Sequence, residues 1–210
     1  MSTTTTEPAA KVEKKKPFSL IRTFVLADVI TLGNAFSGTG AILAAMGYVA
    51  SPTNRTLIWM AFILLPVALV CDALDGAVAR WRRRSSPLGA DLDSLADIVS
   101  FGVAPATLGF ALGLRGGWDA VILCYFVACG IGRLARYNVT AASLSDETGK
   151  VKYYEGTPIP SSLLLVMVLG IAFGTGGVNE NLWLGAVELG PWVLHPLVAM
   201  YAISGSFMIS

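Results

Sequence analysis

Charged residues are scarce in this 210-residue chain. Asp, Glu, Lys and Arg together make up 14% of the sequence, whereas hydrophobic residues make up 54% and the mean hydropathy is +0.65. The formal net charge is only +1, which leaves no basic excess for binding nucleic acid. The composition excludes an ordinary soluble domain and is typical of an integral membrane protein.

Histidine and cysteine are scarcer still. The cysteines, Cys71, Cys124 and Cys129, lie in apolar stretches and form no Cys-x-x-Cys pair, which argues against a zinc site or a redox pair. His195 is the only histidine, and we expect it to be a satisfied polar group of the bundle or its interface. A metal site in this chain is therefore expected to use oxygen ligands.

Long apolar stretches dominate what is present. Residues 1–17 are polar and rich in Thr and Lys, a composition typical of a disordered tail. Six apolar stretches follow, each near or above the roughly 20 residues that cross a hydrocarbon core. They cover approximately residues 22–49, 56–80, 90–114, 117–138, 158–176 and 181–209. We therefore predict an all-α fold, a six-transmembrane-helix bundle formed by residues 18–210.

The cations are distributed unevenly between the two sides of this bundle. Of the 15 Lys and Arg residues, only Arg55 and Arg115 fall on one side, and the other 13 lie in the tail, between helices 2 and 3, or near the connection of helices 4 and 5. Positive charge accumulates on the cytoplasmic side of membrane proteins. The tail and the arginine-rich loop are thus predicted to face the cytoplasm. The membrane is predicted to be a bacterial inner membrane or an endoplasmic reticulum membrane.

Five of the 14 carboxylates lie in the stretch CDALDGAVARWRRRSSPLGADLDSLADIVSFG, residues 71–102. Asp72 and Asp75 are three residues apart near the end of helix 2, and Asp93 and Asp97 are four apart at the start of helix 3. Both spacings place the two side chains on one helix face. Because a short loop makes the helices antiparallel neighbours, we expect these four carboxylates to converge just inside the membrane.

Four converging carboxylates repel one another unless a cation lies between them. A hard divalent ion with oxygen ligands, Mg²⁺ or Mn²⁺, suits this group, and two such ions can clamp both sides of a phosphoryl displacement. The alternative is that the aspartates and nearby arginines simply pair as interfacial salt bridges. Paired aspartates in helical register, with glycine nearby, favour a functional site.

Small residues accompany the aspartates. Gly76, Ala79 and Gly89 leave room for a bulky ligand to approach the backbone, and Arg80 is placed to meet a phosphate. In helix 1, Thr31 and Asn34 share a face. They are predicted either to contact a nucleotide or to hold helices together by hydrogen bonds.

Residues 72–97 read Asp-x2-Asp-Gly-x2-Ala-Arg-x8-Gly-x3-Asp-x3-Asp. This string resembles the signature of the CDP-alcohol phosphatidyltransferase family at every fixed position, and the six-helix layout is similar to that of the family. The resemblance implies transfer of a phosphatidyl group from a CDP-linked lipid to an alcohol, with release of CMP. It also implies a homodimer.

The resemblance further implies roles for the fixed positions of that signature. Asp72, Asp75 and Asp93 would hold the divalent metals against the diphosphate. Asp97 would be the general base that takes the proton of the attacking hydroxyl, and would also be a metal ligand. The small residues at positions 76, 79 and 89 would accommodate the cytidine nucleotide.

The acceptor alcohol is indicated less directly. The stretches LDSLADIVSFGVAPA, GRLARYNV and YYEGTPIPSS resemble the branch of the family that uses serine. Arg133 and Arg136, three apart on helix 4, are predicted to bind the acceptor, or else only to mark the cytoplasmic side. Their charge suits glycerol 3-phosphate or inositol phosphate equally well.

A non-enzymatic cation transporter is a further alternative. It is disfavoured because the carboxylates cluster at one interface and do not run across the membrane.

Overall fold

The apolar stretches form helices in the computed structural model, which describes residues 26–82, 89–144 and 156–210. The predicted tail, residues 1–17, and the loop cations of segments 83–88 and 145–155 lie outside the described residues. The helices are α1 (Leu26–Ala50), α2 (Arg55–Arg82), α3 (Gly89–Asp97), α4 (Ala104–Ala111), α5 (Gly117–Leu144), α6 (Leu163–Gly174) and α7 (Ala199–Ile209).

Several of these helices join into longer units. A π-helical segment, Ile98–Val103, connects α3 to α4 without a break. Within the described ranges, this joined helix, α1, α2 and α5 are long and apolar enough to cross a membrane. Short 3₁₀ turns extend α6 and α7 into the shorter apolar helices Ile159–Gly174 and Pro196–Ile209. The predicted all-α architecture of an integral membrane protein is confirmed.

The sixth predicted helix, residues 181–209, is helical only in its second half. Its first half contains an antiparallel hairpin of β1 (Val187–Leu189) and β2 (Trp192–Leu194). Gly190, at φ +65°, and Pro191 form the two-residue connection. Apolar composition alone does not distinguish such a hairpin from a helix, and the Gly-Pro pair was the available signal.

A glycine in α1 allows this helix to pack closely against the π-helical segment. α1 contacts α2 along its length and also touches α3, the π-helical segment and α4. At Gly38 a Cβ atom would lie 2.7 Å from the Cα of Ser100 and closer still to its Oγ. Only glycine permits this approach, which places Asp97, three residues before Ser100, beside α1.

The second half of the bundle is held by aromatic contacts. Phe126 of α5 and Tyr201 of α7 pack edge to face with ring centroids 5.2 Å apart. The buried Tyr201 hydroxyl donates to the carbonyl oxygen of Pro105 at 2.6 Å, which ties α7 to α4. Gly109 leaves the space that the phenol ring occupies. The short α7 is thereby fixed against α5 and α4.

We predict that Gly38→Ala destabilises the protein by about 1–3 kcal/mol, because the added methyl group overlaps Ser100. Gly33→Ala in the same helix is the control, since a Cβ there meets only the Sγ of Cys71 at 3.6 Å. Helical unfolding followed by circular dichroism in detergent measures both variants. Equal midpoints for the two variants would contradict the close-packing argument.

Candidate active site

Three carboxylates from two helices meet at one point. Asp72 and Asp75 lie on one face of α2, and Asp93 lies on the first turns of α3. One oxygen from each carboxylate can be chosen so that all three atoms lie within 4.8 Å of one another. Asp75 is buried and the other two are half-buried. The predicted convergence of these three side chains is present in the fold.

This cluster lies inside the end of the bundle. Asp72 precedes the last residue of α2 by ten positions, and Asp93 follows the first residue of α3 by four. At about 1.5 Å per residue these separations correspond to roughly 15 and 6 Å. The carboxylates are therefore recessed from the helix ends, near enough for polar molecules to reach them from water.

Asp97 belongs to the same site but not to the group of three. It is buried at the end of α3, and its Oδ1 accepts a hydrogen bond from Nδ2 of Asn34 at 3.1 Å. It interacts electrostatically with Asp72, Asp75 and Asp93. Its position beside the cluster, with a different hydrogen-bond partner, distinguishes it from the three grouped aspartates.

The polar face of α1 holds two of the aspartates in place. Thr31 Oγ1 donates to Oδ2 of Asp75 at 2.6 Å, and Asn34 donates to Asp97. The hydroxyl of Ser100 donates in turn to the backbone carbonyl of Asn34 at 3.0 Å. Thr31 and Asn34 thus join helices, as one of the two sequence-based alternatives predicted, and their partners are the carboxylates themselves.

Two buried oxygen atoms at the site have no hydrogen-bond partner among the described residues. They are Oδ1 of Asp93 and Oδ1 of Asn34. A buried polar atom without a partner is costly in free energy, and a cation between the carboxylates would satisfy Asp93. Because the potential ligand atoms of the three grouped aspartates are all carboxylate oxygens, these residues fit a hard divalent cation.

The small residues and Arg80 lie beside the cluster on α2 and α3. Arg80 is exposed, and its guanidinium folds over Gly76, with Nη1 3.4 Å from where a Cβ would be. Gly89 is the half-buried first residue of α3. The side chain of Ala79 lies outside the described part of the chain. The absence of a side chain at position 76 lets the arginine approach the aspartate-bearing face.

The two arginines of α5 differ in position. Arg133 is half-buried, interacts electrostatically with Asp97, and has a buried Nε without a hydrogen-bond partner among the described residues. Arg136 is exposed. Both were predicted as acceptor-binding residues, and the interaction of Arg133 with Asp97 places that arginine close to the aspartates of the site.

A further polar pair at the site was not predicted from the sequence. Ser94 of α3 and Asn138 of α5 exchange hydrogen bonds of 3.0 and 3.2 Å. Ser94 directly follows Asp93, and Asn138 lies five residues after Arg133 on α5, so the pair fixes the position of α5 beside the aspartates. The signal available in the sequence was a serine between two motif aspartates.

Comparisons with known proteins agree with one another. A family model described as CDP-alcohol phosphatidyltransferase matches residues 24–200. A Saccharomyces cerevisiae protein named CDP-diacylglycerol–serine O-phosphatidyltransferase is 41% identical over 92% of this chain and 71% of its own length. Proteins of the same name from Methanocaldococcus jannaschii and Mycobacterium tuberculosis are each 33% identical, over 71% and 69% of this chain. The matches span 62% and 53% of their respective lengths.

We predict that the purified protein binds Mn²⁺ and that Asp93→Asn weakens this binding at least about tenfold, because residues that merely support metal ligands already contribute that much. Electron paramagnetic resonance of free Mn²⁺ measures the affinity without any substrate. Asp91→Asn is the matched control, since Asp91 is an exposed carboxylate of the same helix outside the group of three. Equal affinities for the two variants would refute the site.

Proposed function

The chain belongs to the CDP-alcohol phosphatidyltransferase family, and on that basis we propose that it transfers the phosphatidyl group of CDP-diacylglycerol to the hydroxyl of L-serine. The products are phosphatidylserine and CMP. The observation that carries the proposal is the recessed aspartate cluster at the bundle end, within the residues that match the family. The names of the relatives support serine as the acceptor.

Asp72, Asp75 and Asp93 would hold the divalent cations, Mg²⁺ or Mn²⁺, and Asp97 would act as an additional ligand. Bound there, such cations would neutralise the diphosphate and stabilise the departing CMP. Thr31 orients the carboxylate of Asp75 through its hydrogen bond. The aspartates would thus hold the ions at one recessed position, where the diphosphate of the lipid would meet them.

Asp97 is the general base of the reaction. The hydroxyl oxygen of the acceptor forms a bond to the phosphorus that carries diacylglycerol, the bond from that phosphorus to the bridging oxygen breaks, and CMP leaves with the electron pair. The proton of the hydroxyl passes to the Asp97 carboxylate. Asn34 holds one oxygen of that carboxylate, so the other oxygen is available to accept the proton.

The nucleotide occupies the space left by small residues. Gly76, Ala79 and Gly89 admit the cytidine moiety close to the backbones of α2 and α3. Arg80, whose guanidinium lies over Gly76, turns from that position to contact a phosphate oxygen. The diacylglycerol chains remain in the bilayer while the nucleotide faces water.

Serine adds a carboxylate to its hydroxyl, and Arg133 is the cation best placed to bind it. The buried Nε of this residue lacks a hydrogen-bond partner among the described residues, and its electrostatic interaction with Asp97 supports this assignment. Arg136 assists from the exposed side of the same helix. Glycerol 3-phosphate and inositol phosphate are the alternative acceptors, because a phosphate would satisfy the same cations.

The active site faces the cytoplasm in this proposal. Arg133 and Arg136 lie toward the same end of the bundle as the aspartates, whereas Arg55 and Arg115 begin α2 and follow α4 at the other end. This distribution agrees with the positive-inside rule. The protein resides in the lipid bilayer and, as the family resemblance suggests, forms a homodimer.

We predict that the purified protein in detergent, given CDP-diacylglycerol, Mn²⁺ and equal concentrations of labelled serine, glycerol 3-phosphate and inositol phosphate, forms phosphatidylserine as the main lipid product and releases CMP. Thin-layer chromatography identifies the lipid. If a different labelled lipid were the main product, the alcohol from which it was formed, and not serine, would be the acceptor. Absence of CMP release with every acceptor would favour a cation transporter and refute the enzyme.

We predict that Asp97→Asn lowers the transfer rate by about 10²–10⁴-fold, the usual contribution of a general base. The amide oxygen can still accept the hydrogen bond from Asn34, so the fold of the site is preserved. Mn²⁺ binding should fall less than in Asp93→Asn. An equal loss of Mn²⁺ binding in the two variants would identify Asp97 as an essential metal ligand instead of the base.

A further inference from the structure

The hairpin of β1 and β2 lies at the bundle end opposite to the aspartates. It contacts the first turns of α5, and the aspartate-side arginines, Arg133 and Arg136, lie toward the other end of that helix. The proposed reaction uses no residue of this hairpin. Its side chains nevertheless form an ordered apolar surface.

The hairpin is fixed to α5 by close backbone packing and by one buried carboxylate. A Cβ on Gly117 would lie 2.6 Å from the indole ring of Trp192, so the strand lies directly against the helix start. Asp119, fully buried, accepts hydrogen bonds from the backbone N–H of Gly116 at 2.8 Å and of His195 at 2.9 Å. The Nδ1 of His195 lies 2.5 Å from the same carboxylate.

The two faces of the hairpin differ in polarity. Leu189 pairs with Trp192, Val187 pairs with Leu194, and because alternate residues of a strand share a face, these four apolar side chains lie together. Val187, Leu189 and Trp192 are each 46–47% exposed. The opposite face carries the pair Glu188 and Val193, and Glu188 is exposed.

The apolar face of the hairpin continues onto the exposed surface of α5. The rings of Trp118 and Trp192 pack edge to face with centroids 5.3 Å apart, and Nε1 of Trp118 donates to the carbonyl oxygen of Leu189 at 3.0 Å. Val121 and Tyr125 follow Trp118 at helical spacing, and all three are exposed. A continuous apolar surface therefore runs from the hairpin along α5.

We propose that this hairpin is a membrane-interface anchor, seated with its apolar face in the lipid leaflet opposite to the aspartates and with Glu188 toward water. Lipid is the occupant because the surface is continuous with the exposed side of a helix long enough to cross a membrane. Tryptophans with an apolar ring and a satisfied N–H group are typical of the membrane–water boundary. The connection between α6 and α7, residues 175–195, also contains no Lys or Arg, as expected away from the cytoplasmic side.

Site-specific fluorescence tests the anchor independently of the proposed reaction. Leu189→Cys and Glu188→Cys are made in a background in which Cys71, Cys124 and Cys129 are replaced by alanine, labelled with the NBD fluorophore and reconstituted into phosphatidylcholine vesicles. Iodide on both sides of the membrane reports exposure to water, and a lipid with a nitroxide close to its headgroup reports contact with the interface. Glu188 is the matched control because it is the next residue on the opposite face.

The proposal expects the probe at position 189 to be quenched at least about twofold more by the nitroxide lipid than the probe at 188, and less by iodide. Equal iodide quenching at the two positions would place the apolar face in water and overturn the proposal. Protection of position 189 from both quenchers would place it in a contact between protein chains, which also overturns it. If Leu189→Cys does not fold, Val187→Cys on the same face provides the same test.

Discussion

The gathering of like charges inside an apolar bundle is the constraint on which the rest of this structure depends. Asp72, Asp75 and Asp93 lie close enough to repel one another, and the group of three consists of carboxylates alone. A cation is the simplest means of offsetting that repulsion. The surrounding helices must hold the carboxylates together strongly enough for the site to exist before the cation arrives.

Helix α1 contributes much of that restraint without contributing a charge to the cluster. Thr31 and Asn34 donate hydrogen bonds to carboxylates from two different helices. Gly38 allows α1 to approach the π-helical segment at Ser100, which brings Asn34 beside Asp97. A π-helical turn widens the helix and redirects the residues at its ends, which is a common device at functional sites. One glycine thus connects helix packing to the orientation of Asp97.

Different parts of the molecule were predictable from the sequence to different degrees, for identifiable physical reasons. The spacing of Asp72 and Asp75 predicted a shared face because helical geometry fixes the angle between such side chains. The partner of Asn34 was not predictable, because hydrogen bonds between helices depend on their packing. The hairpin at Gly190 was missed because apolar residues suit a membrane helix and an interfacial strand alike, and only the turn residues distinguish them.

The two ends of the bundle meet opposite requirements with different residue types. At one end, the aspartate cluster is recessed within the bundle, and buried oxygen atoms of Asp93 and Asn34 have no hydrogen-bond partner among the described residues. At the other end, Asp119 has a hydrogen-bond partner for each of its oxygen atoms, and its charge serves to hold backbone in place. A carboxylate with satisfied oxygens stabilises a fold, whereas one with an unsatisfied oxygen retains the capacity to bind a cation. By that criterion Asp93, and not Asp119, is the carboxylate suited to function.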